Sequence, residues 1–214
     1  MAKAKKTEEV VTIPRPNIKR LNLLIVGESR LVVHQFPEKA RKQMSDKHAQ
    51  KATTGRKKRV PEDEYAASMY WLDKNGELTS PKGDPAKHKY GFGFKSVGFK
   101  AAAVRAGKEA LQMNMTFTRT AFHVMGEFVK IEGTPNMRED VVRVGNGAAD
   151  LRYRGEFKKW KAVLPIHYNA NVISAEQIFN LFVYAGFGVG VGEYRPQNDG
   201  NWGRFSVSST VAVQ

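Results

Sequence analysis

The first clear pattern is alternation. Leu21, Leu23 and Ile25 alternate with Asn22, Leu24 and Val26, and so apolar a run predicts a strand buried on both faces. Gly27 interrupts it and Leu31-Val32-Val33 resumes it, so a β region extends from Ile18 to Phe36. Helical spacing replaces alternation at Ser96–Ala110, where Phe99, Ala103, Ala106 and Ala110 share one face and Ser96 stands as the N-cap. A face made mostly of alanine packs close against something flat, such as a sheet. Gly98 and Gly107 weaken that helix. Ser174 opens a second long helix: Ser174-x-x-Gln177 is a capping box, Ile178, Leu181, Phe182 and Ala185 form the apolar stripe, and Gly186 ends it. Pro61 followed by Glu62-Asp63-Glu64 starts a short helix running to Tyr70.

Between these elements, 71–78 reads as a hairpin about Asn75-Gly76 and 80–93 as a loop rich in Pro, Gly, Lys and His. Strand material runs from Met115 to Ile131, from Asp140 to Val144 before a Gly145-Asn146-Gly147 turn, from Ala162 to Tyr168, and from Arg204 to Ser208. Residues 148–160 mix basic and aromatic positions without a clear period. Strands with helices lying on them, closing on a strand–helix–strand unit, predict an α+β class. The two strand–helix units are halves of a ferredoxin-like or RRM-like antiparallel sheet. Residues 1–17 read as a flexible N-terminal arm, and 18–214 as a single α+β domain.

One segment fits no packed element. Residues at about 38–60 carry Lys39, Arg41, Lys42, Lys47, Lys51, Arg56, Lys57, Lys58 and Arg59, with Met44 the one large apolar residue before Val60. So few apolar side chains bury too little surface to offset ordering entropy, so this is a large basic loop inserted in the domain. It changes the picture because the whole chain shares its sign: 35 Lys+Arg against 21 Asp+Glu, a net charge of +14. Such an excess speaks to partners, and a phosphate polyanion is the natural one, since each cation placed on a phosphate releases a counterion. The basic loop is therefore a candidate phosphate contact.

The chain has no cysteine, which excludes disulfides, thiolate metal sites and a thiol nucleophile. No apolar run reaches membrane-spanning length, and the basic N-terminus is followed by Thr7-Glu8-Glu9, so no membrane partner and a cytoplasmic location are expected. The histidines lack metal-ligand spacing, and no cofactor or metal is expected.

The most specific motif is the glycine-rich stretch from Gly186 to Phe205. Gly190 and Gly192 permit close backbone approach and an amide nest for an anion, Arg195 and Arg204 supply charge, and Tyr194 and Trp202 offer stacking faces. It follows a helix and precedes a strand, the reverse of a dinucleotide fingerprint, and it lacks the Gly-Lys-Ser/Thr of a P-loop. A glycine-rich turn with Trp202 packed on the core is the alternative reading.

A helix, then Gly190-Val-Gly192, a polar loop and Gly203-Arg-Phe205 leading into the last strand resembles the RAMP superfamily, the RRM-like RNA-binding proteins of CRISPR systems. The same wording, with Leu31-Val-Val-His34 and the alanine-rich Phe99–Ala106, also resembles a group of phage-encoded proteins of unassigned role. The resemblance implies a ferredoxin-like core and single-stranded nucleic acid, with the basic insertion as the projecting thumb of backbone subunits. The reading is thus a non-enzymatic, sequence-tolerant binder of single-stranded RNA or DNA, working as a homo-oligomer or a ribonucleoprotein subunit. Two alternatives stand beside it: a metal-independent endoribonuclease with His34 as general base, and a phage structural or assembly protein that meets an acidic partner.

Overall fold

A computed structural model of the chain describes residues 13–36, 44–46, 48–49, 59–144 and 147–213. Strand β1 (Ile18–Gly27) leads into β2 (Leu31–Val33). Helix α1 (Pro61–Ala67), the hairpin β3 (Tyr70–Leu72) and β4 (Leu78–Thr79), and β5 (Phe92–Lys95) follow. Next come helices α2 (Ser96–Leu111) and α3 (Met115–Ala121), then β6 (Phe122–Val124) and β7 (Phe128–Glu132). A long hairpin, β8 (Pro135–Val144) and β9 (Ala148–Phe157), precedes the closing unit of β10 (Lys161–Asn169), α4 (Ala175–Tyr184) and β11 (Phe205–Val213).

The large sheet runs β11-β1-β10-β7-β5-β3-β4, with β6 also on β10, and all its pairs are antiparallel. Take β1, α2, β6 with β7, β10, α4 and β11 alone. The last strand lies beside the first, the third on its other side, and the second outermost. That is the βαββαβ ferredoxin-like order, so the α+β antiparallel fold class expected from the sequence is the one found. The small sheet, β2-β9-β8, is the other layer.

The core forms where α2 and α4 cover one face of the large sheet. Leu21, Leu23 and Ile25 of β1 and Ala162, Leu164 and Ile166 of β10 are buried with Phe99, Ala103, Ile178 and Phe182 of the helices. Each large apolar side chain so buried contributes about 1.5–3 kcal/mol. The alanine face of α2 lets the two helices touch closely: a Cβ on Gly107 would lie 3.2 Å from Leu181 Cδ2. The capping box of Ser174 and Gln177 is present.

Several local expectations are corrected. β1 is buried on one face only; Asn22 and Leu24 are half-buried and Val26 is exposed. Ser96 does not cap α2 but is its first residue, and its hydroxyl donates to the Gly126 carbonyl. Met115–Ala121 is helix, because Asn114 Oδ1 accepts from the amides of Thr116 and Phe117 and so outweighs the β-branched threonines. Phe92 and Gly93, read as the end of a loop, belong to β5, and 148–157 form β9. Gly186 does not end α4: the chain widens into a turn at 185–189 closed by Gly190 N–H on the Ala185 carbonyl, and Gly190 takes the positive φ of 69°.

Candidate nucleic-acid interface

Two surfaces gather the basic and aromatic residues, and they differ in kind. The first is the outer face of the small sheet, where the glycine-rich loop docks. The loop is stitched down by its own amides. Glu193 donates to the Val32 carbonyl, Gly203 to that of Arg30, Val191 to that of Gly203, and Trp202 to that of Tyr194. Gly192, at φ 79°, is a glycine because a Cβ there would sit 2.5 Å from the Val32 carbonyl oxygen. Close approach is thus to a neighbouring strand, and the amides of Gly190, Val191, Glu193, Trp202 and Gly203 donate within the protein.

Beneath the loop lies a network of arginines and carboxylates. Glu156 Oε1 accepts from Arg30 Nη1 at 2.7 Å and from Arg138 Nη1 at 3.2 Å. Asp140 Oδ1 accepts from Arg138 Nε at 2.8 Å, and Arg154 stands 3.5 Å from Asp140 Oδ2. Asp140, Arg154 and Glu156 are all buried. Trp202 lies with the Arg138 guanidinium 4.2 Å and the Arg30 guanidinium 5.4 Å from its ring, and Tyr194 meets it edge-on at 4.7 Å. Arg154 also donates to the Tyr194 hydroxyl. Of the other loop residues, Arg195 folds back on Gly192 O and Gln197 Oε1. Arg204 Nε is buried with no hydrogen-bond partner among the described residues. His34 borders this network half-buried; burial, then Arg154, lower its pKa, while Glu193 acts the other way.

Of the basic-loop candidates, Arg59 is described. It is held by Glu64 and Asp150 and donates to the Leu151 carbonyl, and these carboxylates raise its pKa further. Lys39, Arg41, Lys42, Lys47, Lys51, Arg56, Lys57 and Lys58 lie outside the described residues.

The second surface is the face of the large sheet that the helices leave open. Strand register fixes its occupants. Across β1, β10 and β6 runs the row Arg20, His167, His123; beside it are the rows Asn22–Pro165, Leu24–Val163 and Val26–Lys161. Further out, Tyr70, Gly93, Lys95, Phe128 and Lys130 share the face. Tyr70 and Phe128 pack over Gly93 with ring centroids 5.3 Å apart, and Lys95 Nζ lies 6.0 Å from the Tyr70 ring. A Cβ on Gly93 would lie 3.0 Å from Phe128 Cβ, so glycine is what lets the aromatic pair settle on the sheet. Tyr90, with Lys89 5.8 Å from its ring, stands at the margin. Among the described residues of these strands, Glu132 is the one carboxylate the register puts on this face, and it pairs with Lys161 at 3.0 Å. Arg20, Lys95 and Lys130 have no carboxylate partner among the described residues.

Sequence reading missed this surface because its residues are scattered over six strands. The one available signal was the spacing within β7, where Phe128, Lys130 and Glu132 alternate with buried Val129 and Ile131.

No protein-family model matches the chain, and no curated protein matches it. Among solved structures, Cmr6 from Pyrococcus furiosus matches with a TM-score of 0.40 and 10% identity, covering 90% of this chain and 99% of that one. At that TM-score the likeness adds nothing to what the strand order already establishes. Among the described residues no helix is long and apolar enough to cross a membrane, and no group of three or more His, Asp or Glu is arranged to hold a metal.

Proposed function

We propose that this protein binds single-stranded nucleic acid, without cutting it, along the open face of the large sheet. One observation carries the reading: a tilted Tyr70–Phe128 ring pair beside Lys95 and Lys130, on a face where the single strand-borne carboxylate among the described residues is neutralised. Aromatic rings accept bases of any sequence, and unpaired cations track the backbone. An open sheet is accessible to an unpaired strand whose bases can splay. The net charge of +14 and the basic segment at 38–60 add long-range attraction. The glycine-rich loop then acts as the strap that fixes the small sheet. Subunits arranged side by side along one strand, as a homo-oligomer or within a ribonucleoprotein, extend the same reading.

The test is a filter-binding titration with labelled single-stranded RNA and DNA at several salt concentrations. Affinity falls steeply between roughly 50 and 200 mM salt if several phosphates are engaged. A flat salt dependence, or binding that survives Tyr70→Ala with Phe128→Ala unchanged, rejects the reading. Time-dependent cleavage lost in His34→Ala would favour the nuclease alternative instead.

A further inference from the structure

At one end of the open face, the Arg20–His167–His123 row borders a cleft of about 560 Å³. Directly opposed residues on neighbouring antiparallel strands have Cβ atoms about 5 Å apart, so His167 stands in one row between Arg20 and His123, and the two imidazoles line the cleft. A further cation comes from α2: Lys100 Nζ lies 3.1 Å from His123 Nδ1. With the ammonium as donor, Nδ1 accepts, and the imidazole proton resides on Nε2, a second donor for an oxyanion. The rest of the cleft is largely apolar. Pro16, Ile18, Val124, Met125 and the buried Tyr168 are among its lining residues. No carboxylate lines it.

We propose that this cleft is a nucleotide pocket: Arg20, His167, His123 and Lys100 take one phosphate, and the attached nucleoside lies between Ile18 and Met125. The proposal rests on the reading that the chain binds single-stranded nucleic acid, and it fixes where one nucleotide of that strand is gripped. The shared chemistry is a nucleoside phosphate, whose source is either a nucleic-acid strand or a free mononucleotide.

The pocket makes binding pH-dependent. His123 faces Lys100 from α2 and His167 from β10, and His167 faces Arg20 from β1; α3 contributes uncharged Thr120. Burial, then Lys100 and His167, lower the His123 pKa and so disfavour its charged form in the free pocket. A phosphate beside His123 offsets that repulsion and favours the charged imidazole, so binding takes up a proton and strengthens as pH falls.

Histidine side-chain NMR of the wild-type chain tests this with adenosine monophosphate, inorganic phosphate and a single-stranded RNA of about twelve nucleotides as probes. His123 and His167 signals, assigned through His123→Gln and His167→Gln, should shift with the RNA or the mononucleotide, and that of His123 should titrate at higher pH. RNA affinity should rise about tenfold from roughly pH 8 to pH 6, and the double variant should lose that dependence. Histidines that move with RNA alone identify the strand as the source, and histidines that move with the mononucleotide alone identify the free ligand. Inorganic phosphate as effective as the mononucleotide would overturn the nucleoside half of the pocket. Wild-type histidines unmoved by all three probes would overturn the whole. If Lys95→Ala with Lys130→Ala weakens RNA binding while the histidine double variant matches wild type at every pH, the pocket is wrong and the function stands. If no RNA binds at all, the function is wrong, and the mononucleotide titration alone decides the pocket.

Discussion

The outer face of the small sheet and the open face of the large sheet are both basic and aromatic, yet their cations have opposite fates. Arg30, Arg138 and Arg154 are locked to Glu156 and Asp140 under Trp202. Arg20, Lys95 and Lys130 are exposed, with no carboxylate partner among the described residues. The first arrangement satisfies itself: its guanidinium groups fit carboxylates and the Trp202 indole face, so the charge holds the glycine-rich loop in place. The second leaves its charge to be answered from outside. A count of Lys and Arg cannot tell these fates apart; what separates them is whether an acid lies across the neighbouring strand.

The comparison is most directly broken at Glu156. Glu156→Gln keeps the shape and leaves two arginines around a neutral amide. It should destabilise the protein by about 3 kcal/mol, the low end for a broken buried pair because Arg30 retains contact with water. A urea titration measures this; a change under 1 kcal/mol would mean the network does not hold the loop. Nucleic-acid affinity, measured where the variant is folded, should stay near wild type.

Next in size, Phe128→Ala should weaken single-strand binding by about 1–3 kcal/mol, the range for losing one base stack, in both RNA and DNA. Trp202→Ala serves as its counterpart: it should lower the unfolding midpoint and leave affinity nearly unchanged. The reverse pattern would return the binding site to the glycine-rich loop. Lys95→Ala with Lys130→Ala should lower the slope of log affinity against log salt by about 1.4, at 0.7 per phosphate contact on a single strand. Neutralising Arg56, Lys57 and Lys58 together tests whether the 38–60 segment adds to that slope.

The smallest effect is on pH. His34 has its pKa lowered in the folded protein, so the unfolded chain binds more protons in the window between that lowered value and 6.5. Stability therefore rises with pH through this window and is lost as pH falls below about 6.5. His34→Gln should flatten that part of the profile, read from thermal midpoints at low salt. An unchanged profile would show that other groups set it.

The sequence revealed the elements well and their surfaces poorly. Alternation located β1, helical spacing located α2 and α4, and the Ser174 capping box is present as read. The sequence also carried the ferredoxin-like order, because two strand–helix units are what make it. It misled where a short polar cap outweighed β-branched neighbours, as Asn114 does before α3. It misled again at Leu24, where an apolar side chain sits on a face that no helix covers. Glycines at 190 and 192 were expected to approach a phosphate, but Gly192 approaches the Val32 carbonyl. Their clustering in sequence drew attention, whereas Tyr70, Gly93 and Phe128 assemble only through cross-strand pairing, which no local window contains.

The position of β1 has a consequence for how the chain comes together. Its two neighbours are β10 and β11, with Ile18 opposite Asn169 and Arg20 opposite Val213. During synthesis the first strand therefore waits through well over a hundred residues for its first partner and to the far end of β11 for its second. Loop closure over such separations makes assembly slow, and both edges of an apolar strand stay bare meanwhile. A chain stopped before Phe205 has an unpaired β1 edge and no last strand to shield it, so such truncations should aggregate rather than fold into a smaller working unit.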